Sequence, residues 1–175
     1  QGQTIFRHDQ RRCEGCMVDV WQGQDVPVPP DTRAQLADPA VVYQIVSLLE
    51  GAVQRGTGVR LRELGIPLAG KTGTTNDSRD TWFMGLTPDL AVGVFVGFDT
   101  PLPMGAKETG SSVALPVFKG FMAQAMQQRP AVPFRIPPGI RLVWVDRFTG
   151  ERSNPGAEGA ILEAFQPGTE PAFGE

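Results

Sequence analysis

The residues with the most chemistry in them lie together in Gly65-Ile66-Pro67-Leu68-Ala69-Gly70-Lys71-Thr72-Gly73-Thr74-Thr75-Asn76-Asp77, where a primary amine, several hydroxyls and glycines sit side by side. Such a set binds anions, and two geometries compete for it. Gly65 through Thr72 fits G-x-x-x-x-G-K-[ST], the loop that cradles phosphates. That loop needs its Lys-Thr to open a helix, because free backbone N–H groups and the positive end of the helix dipole hold the phosphates. Here the residues after Lys71 are poor helix formers that end in a turn cluster, and Ile66-Pro67-Leu68-Ala69 is bulky and apolar. Asp99 and Asp146, each closing a β-rich run, could imitate a magnesium-binding strand end, but the helix that a nucleotide requires is missing. In the other geometry Lys71-Thr72-Gly73-Thr74 lies on a strand at the rim of a cleft. Alternation then places Lys71 and Gly73 on one face and Thr72 and Thr74 on the other, and the twist of an edge strand can expose both hydroxyls. Gly73 would let a substrate backbone pair with the strand, while Lys71 and the threonines attract a carboxylate. An anionic peptide terminus is the natural ligand.

The elements that must position this strand are readable on both sides of it. Asp38 offers an N-cap and Pro39 a first helical residue, and Val41, Val42, Ile45, Val46, Leu48, Leu49, Ala52 and Val53 recur at helical spacing before Gly56. This predicts a helix over Pro39 to Arg55 with a buried apolar face. Trp82 to Leu86 and Ala91 to Phe98, joined by a linker that contains Thr87-Pro88-Asp89, predict a hairpin. Within it Trp82, Phe83, Val94, Phe95 and Phe98 are expected in the core. A second helix is expected over Ser112 to Gln128, with Pro116 tolerated in its first turn. Residues 1–38 read as an extended polar lead-in, 39–129 as the unit that carries the site, and 130–175 as a Pro/Gly-rich extension. In that extension Ile140 to Asp146 and a turn at Phe148 to Glu151 suggest a short hairpin, with a loosely held tail from Asn154.

Composition narrows the function classes. With 175 residues, 16 Lys plus Arg against 19 Asp plus Glu, and a net charge of −3, the chain lacks the basic face of a nucleic-acid binder. Its 41% hydrophobic residues mark a globular chain, and 21 Gly with 16 Pro favour strands and turns over a helical bundle. The apolar runs are too short to span a bilayer, so no membrane segment is expected in this chain, and no cofactor is expected either. The start, Gln1-Gly2-Gln3-Thr4, has no initiator Met and is read as the beginning of an excised piece. Cys13 and Cys16 form a C-x-x-C with His8 upstream. Those three fall short of a tetrahedral zinc set and lie in no βαβ context, so a local disulfide or free thiols is the expectation, with no metal.

Val53-Gln54-Arg55-Gly56-Thr57-Gly58, Ala69 to Asp77 with its K-T-G, Asp80-Thr81-Trp82-Phe83-Met84-Gly85, Val96-Gly97-Phe98-Asp99 and Glu108-Thr109-Gly110 together resemble the C-terminal half of the transpeptidase domain of class A penicillin-binding proteins. The likeness runs from about Ala37 to Gln128. It implies an α+β fold, an antiparallel sheet with packed helices as in penicillin-binding proteins and β-lactamases, here with a small C-terminal β segment. It also implies a bifunctional peptidoglycan synthase, with glycosyltransferase and penicillin-sensitive D,D-transpeptidase domains, working in the periplasm from a membrane-anchored parent. By that resemblance Lys71 would stand beside a serine nucleophile. Thr72 and Thr74 would bind the carboxylate of a stem peptide or β-lactam, Gly73 would leave room for it, and the Thr74 N–H would be an oxyanion-hole donor. The serines are Ser47, Ser78, Ser111, Ser112 and Ser153, and none has Lys three residues on or Asn two residues on. The S-x-x-K and S-x-N motifs are therefore expected in a missing N-terminal half of the domain, and this chain alone is expected to be inactive. A β-lactamase-like hydrolase fragment and a non-catalytic peptide-binding module are the alternatives.

Overall fold

Pro39, whose ring presets a helical φ, opens α1 (Pro39–Arg55), and two glycines close it. The amides of Gly56 and Gly58 both reach the carbonyl of Ala52, at 3.1 and 3.0 Å. A Cβ on Gly56 would lie 2.9 Å from that oxygen, so the turn Gly56-Thr57-Gly58 can fold this tightly only without side chains at its ends. A 3-10 turn, Val59–Leu64, follows and ends at Gly65 in the left-handed region (φ 64°). The chain then enters β1 (Ala69–Thr74), β2 (Asp80–Leu86) and β3 (Ala91–Gly97), an antiparallel sheet in that order. The Thr87 hydroxyl ties the β2–β3 turn by accepting from the Leu90 amide at 3.1 Å. After α2 (Ala114–Ala125) come β4 (Arg141–Asp146) and β5 (Ala160–Phe165), which pair antiparallel.

This computed structural model describes residues 34–172, with Val20 and Gly23. The chain divides into two compact units, Gln1–Asp38 and Pro39–Glu175. Cys13, Cys16 and His8, and with them the expected local disulfide or free thiols, lie outside the described residues.

The core forms where the two helices meet one face of the sheet. Val53, Leu61, Leu68, Phe83, Leu115, Phe118 and Met122 are its buried members. Gly70 and Gly85 are direct cross-strand partners on that face, and their bare backbone makes room for aromatic rings. A Cβ on Gly85 would come 2.5 Å from Phe118 Cζ, and one on Gly70 2.8 Å from Phe83 Cζ. The rings of Phe83 and Phe118 tilt against each other with centroids 4.6 Å apart. Lys119 of α2 pairs with Glu63 of the 3-10 turn, which holds the Glu63 carboxyl below its ordinary pKa.

The architecture is α+β with an antiparallel sheet, and four expectations about it need correction. Helix α1 spans the predicted residues, yet Val41, Val42, Ile45 and Leu48 are exposed and only Val53 is fully buried. Helical spacing reports which side of a helix is apolar and says nothing of whether a neighbour covers it. Trp82 and Phe95, expected in the core, pack on each other on the sheet face turned away from the helices (centroids 4.8 Å), and both are exposed, as is Phe98 beyond β3. The tail after Asn154 is not loosely held, because it contains β5. The predicted turn does form, with the Gly150 amide on the Asp146 carbonyl at 2.8 Å and a bridge between Val145 and Arg152. The amides of Thr149 and Phe148 donate to the Asp146 carboxylate and lower its pKa. The strand β5 is fastened to α1 by Gln44 Nε2 donating to the Ala164 carbonyl (3.0 Å) and by Arg55 paired with Glu163 (2.8 Å). The run Ala160-Ile161-Leu162 was its signal, masked by the glycines and prolines around it. Helix α2 is shorter than expected at both ends.

Candidate functional site

Among the described residues β1 pairs only with β2, so its other side is a free sheet edge. The Thr75 amide donates to the Asp80 carbonyl at 3.0 Å, toward β2. Since amide direction alternates along a strand, the N–H groups of Thr72 and Thr74 and the carbonyl of Thr72 point off the free edge. Lys71 Nζ reaches that carbonyl at 3.0 Å and Thr72 Oγ1 at 3.1 Å, its stem wrapped over the sheet margin.

Cross-strand register assigns the faces. Lys71 stands opposite Met84 and Gly73 opposite Trp82, on the exposed face. Thr72 stands opposite the buried Phe83 and Thr74 opposite the buried Thr81, on the helix side. The four positions therefore alternate as the sequence indicates, and Lys71 still meets Thr72 because, among the described residues, no further strand stands in the way of its side chain. Thr74 and Lys71 are exposed, while Thr72 and Gly73 are half-buried.

Two segments from outside the sheet touch these hydroxyls, and neither was given a role from sequence. Thr57, at the apex of the glycine turn after α1, lies with its hydroxyl 2.9 Å from Thr72 Oγ1. The amide of Gly110 donates to Thr74 Oγ1 at 3.0 Å. Gly110 is buried so tightly that a Cβ there would be 2.6 Å from the Trp82 carbonyl and 2.7 Å from that of Gly73. Its loop is anchored by Ser112, whose hydroxyl accepts from the Thr109 amide (2.8 Å) and donates to Glu108 (3.0 Å). The signal was present in the glycines of Gly56-Thr57-Gly58 and Thr109-Gly110, which mark close backbone approach. One cation, two hydroxyls and two outward amides thus lie along the four residues Lys71 to Thr74 of edge strand, an arrangement that can pair with a peptide backbone and hold a carboxylate.

No family model matches the chain. It is 44% identical over 167 residues to penicillin-binding protein 1A of Rickettsia typhi, a match that covers 94% of this chain and 21% of the relative. The chain belongs to the class A penicillin-binding proteins. A second member of that family, penicillin-binding protein 1A of Pseudomonas aeruginosa, is 41% identical over 138 residues, 78% of this chain and 17% of its own length. A crystal structure of penicillin-binding protein 1A from Haemophilus influenzae matches with a TM-score of 0.68 at 30% identity, over 78% of this chain and 21% of that one. The chain thus spans about a fifth of the length of the penicillin-binding proteins it matches. Among the described residues no helix is long and apolar enough to cross a membrane.

Proposed function

We propose that this chain is a portion of a peptidoglycan synthase and supplies one wall of its serine D,D-transpeptidase site, which cross-links cell-wall stem peptides outside the cytoplasmic membrane. The observation that carries this reading is the free edge of β1, where Lys71 and the hydroxyls of Thr72 and Thr74 are grouped beside outward-pointing amides. The nucleophile comes from an S-x-x-K motif that these 175 residues do not contain.

In the proposed reaction that serine attacks the carbonyl of the penultimate residue of a stem peptide ending in D-Ala-D-Ala. A tetrahedral intermediate forms, and terminal D-Ala leaves with a proton as the acyl-serine ester is completed. An amine of a neighbouring strand then attacks the ester, makes the cross-link and returns the serine hydroxyl. Thr72 and Thr74 donate to the terminal carboxylate, and Lys71 adds positive potential beside the nucleophile. Gly73 leaves room for the peptide. The Thr74 N–H, which points off the edge, is one of two donors to the oxyanion, a role whose loss costs about 3 kcal/mol of transition-state stabilisation. A β-lactam enters the same way and stays as the ester. The exposed outer face of the sheet, with Trp82, Met84 and Phe95, meets the part of the domain that brings the serine. Mass spectrometry after penicillin treatment tests the reading: the full-length synthase should carry its penicilloyl adduct on a serine outside this segment. An adduct on any serine of the segment would contradict it.

A further inference from the structure

We propose that Thr57 is a positioning residue for acyl-donor recognition, acting through Thr72 and matched at Thr74 by the amide of Gly110. The inference rests on the carboxylate-binding role just assigned to the two threonines. A hydroxyl has one proton to give and two lone pairs to receive with, whereas an ammonium or a backbone amide can only give. Gly110 N–H donates to Thr74 Oγ1 at 3.0 Å, which occupies a lone pair and leaves the single Thr74 proton for another acceptor. Lys71 Nζ donates to Thr72 Oγ1 at 3.1 Å, so one lone pair of Thr72 is filled as well. Its remaining close partner is the Thr57 hydroxyl at 2.9 Å, and either of that pair can be the donor.

A docked carboxylate settles the direction. It accepts only, so the Thr72 proton turns to it and Thr57 becomes the donor to Thr72. Both threonines are then hydroxyls that receive from the protein and give to the ligand, with each hydrogen bond polarising the next. Thr57 can play this part because its turn is pinned to the end of α1, with the amides of Gly56 and Gly58 both donating to the Ala52 carbonyl. Gly56 and Gly58 lie against the end of α1, and Cβ atoms on them would come within 2.9 Å of Ala52 O and 3.1 Å of Val53 Cα. The position of the Thr57 hydroxyl is thus set by helix α1, from outside the strand that it serves.

The test is a double-mutant cycle in the full-length synthase, read as the second-order rate of acylation by benzylpenicillin and by its methyl ester, which lacks the anion. Thr57→Val should slow acylation by the acid roughly three- to tenfold, the effect of one hydroxyl hydrogen bond, and leave the ester's rate within about twofold. Thr57→Ser should restore the acid's rate. In a Thr72→Val background Thr57→Val should add nothing. If Thr72→Val alone leaves acylation unchanged, the carboxylate-binding reading itself fails. If Thr72→Val slows the reaction but Thr57→Val does not, or if the two effects multiply, or if acid and ester slow together, Thr57 is not a positioning residue. Should Thr57→Val melt too early to assay, Thr57→Ala replaces it in the same cycle.

Discussion

The two faces of the three-stranded sheet are built on opposite principles. On the inner face Phe83 and Phe118 are fully buried, and paired glycines at 70 and 85 are shaped around them. On the outer face Lys71, Trp82, Met84 and Phe95 are all exposed, although Trp82 and Phe95 are as apolar as anything beneath the helices. The same strands make both faces, so alternation separates the packed side from the exposed one, while Thr72 and Thr74 reach the free edge from the helix side. Residues whose ring or methyl groups meet helices hold the fold. Those one position along the strand stand beside a cation-bearing free edge and contribute little to this segment's own stability.

Replacing one aromatic on each face is the strongest way to break that contrast. Phe118→Ala should destabilise the segment by about 3–5 kcal/mol in denaturant unfolding, the usual cost of an aromatic cavity in a packed core. Phe95→Ala should cost under about 1 kcal/mol, since its ring is half in solvent and packs mainly on Trp82. Comparable losses at the two sites would mean that the outer face also carries stability. A smaller and more local effect is expected at Gly110, where the inner face approaches the site. Gly110→Ala drives a methyl group into the carbonyls of Trp82 and Gly73, for which the cost of overpacking is about 1–3 kcal/mol. Because the collision reaches β1 at Gly73 as well as β2 at Trp82, penicillin acylation of the full-length synthase should fall more than its melting temperature suggests. A variant with normal acylation and lowered stability would show that Gly110 serves packing alone.

How much of this was legible in the sequence follows the same division. The edge strand at Lys71 to Thr74, the hairpin after it and both helices could be placed, because alternation, turn residues and helical spacing are local signals. Burial could not be read in the same way. Val41, Ile45 and Leu48 have the spacing of a buried face and are exposed, since periodicity marks where an apolar side points and a neighbour from elsewhere must cover it. Trp82 and Phe95 failed for the same reason. Strand β5 was missed because its short apolar run lies among turn formers, and its stability comes from pairing with β4 and from Gln44, 120 positions from its acceptor Ala164. Thr57 and Gly110 were visible as residues but not as partners of Thr72 and Thr74, because a contact across 15 or 36 positions leaves no periodic trace.

The central claim is that the edge of β1 receives an acyl donor's anion, and Lys71 is the most direct place to test it. Lys71→Met keeps the length and apolar stem of the side chain while removing its charge and its hydrogen bonds to Thr72. In the full-length synthase, labelled penicillin should then acylate on the order of 100-fold more slowly, the scale on which a transition-state electrostatic contact acts, while the melting temperature stays near that of the wild type. Labelling at the wild-type rate by a well-folded Lys71→Met protein would contradict the account.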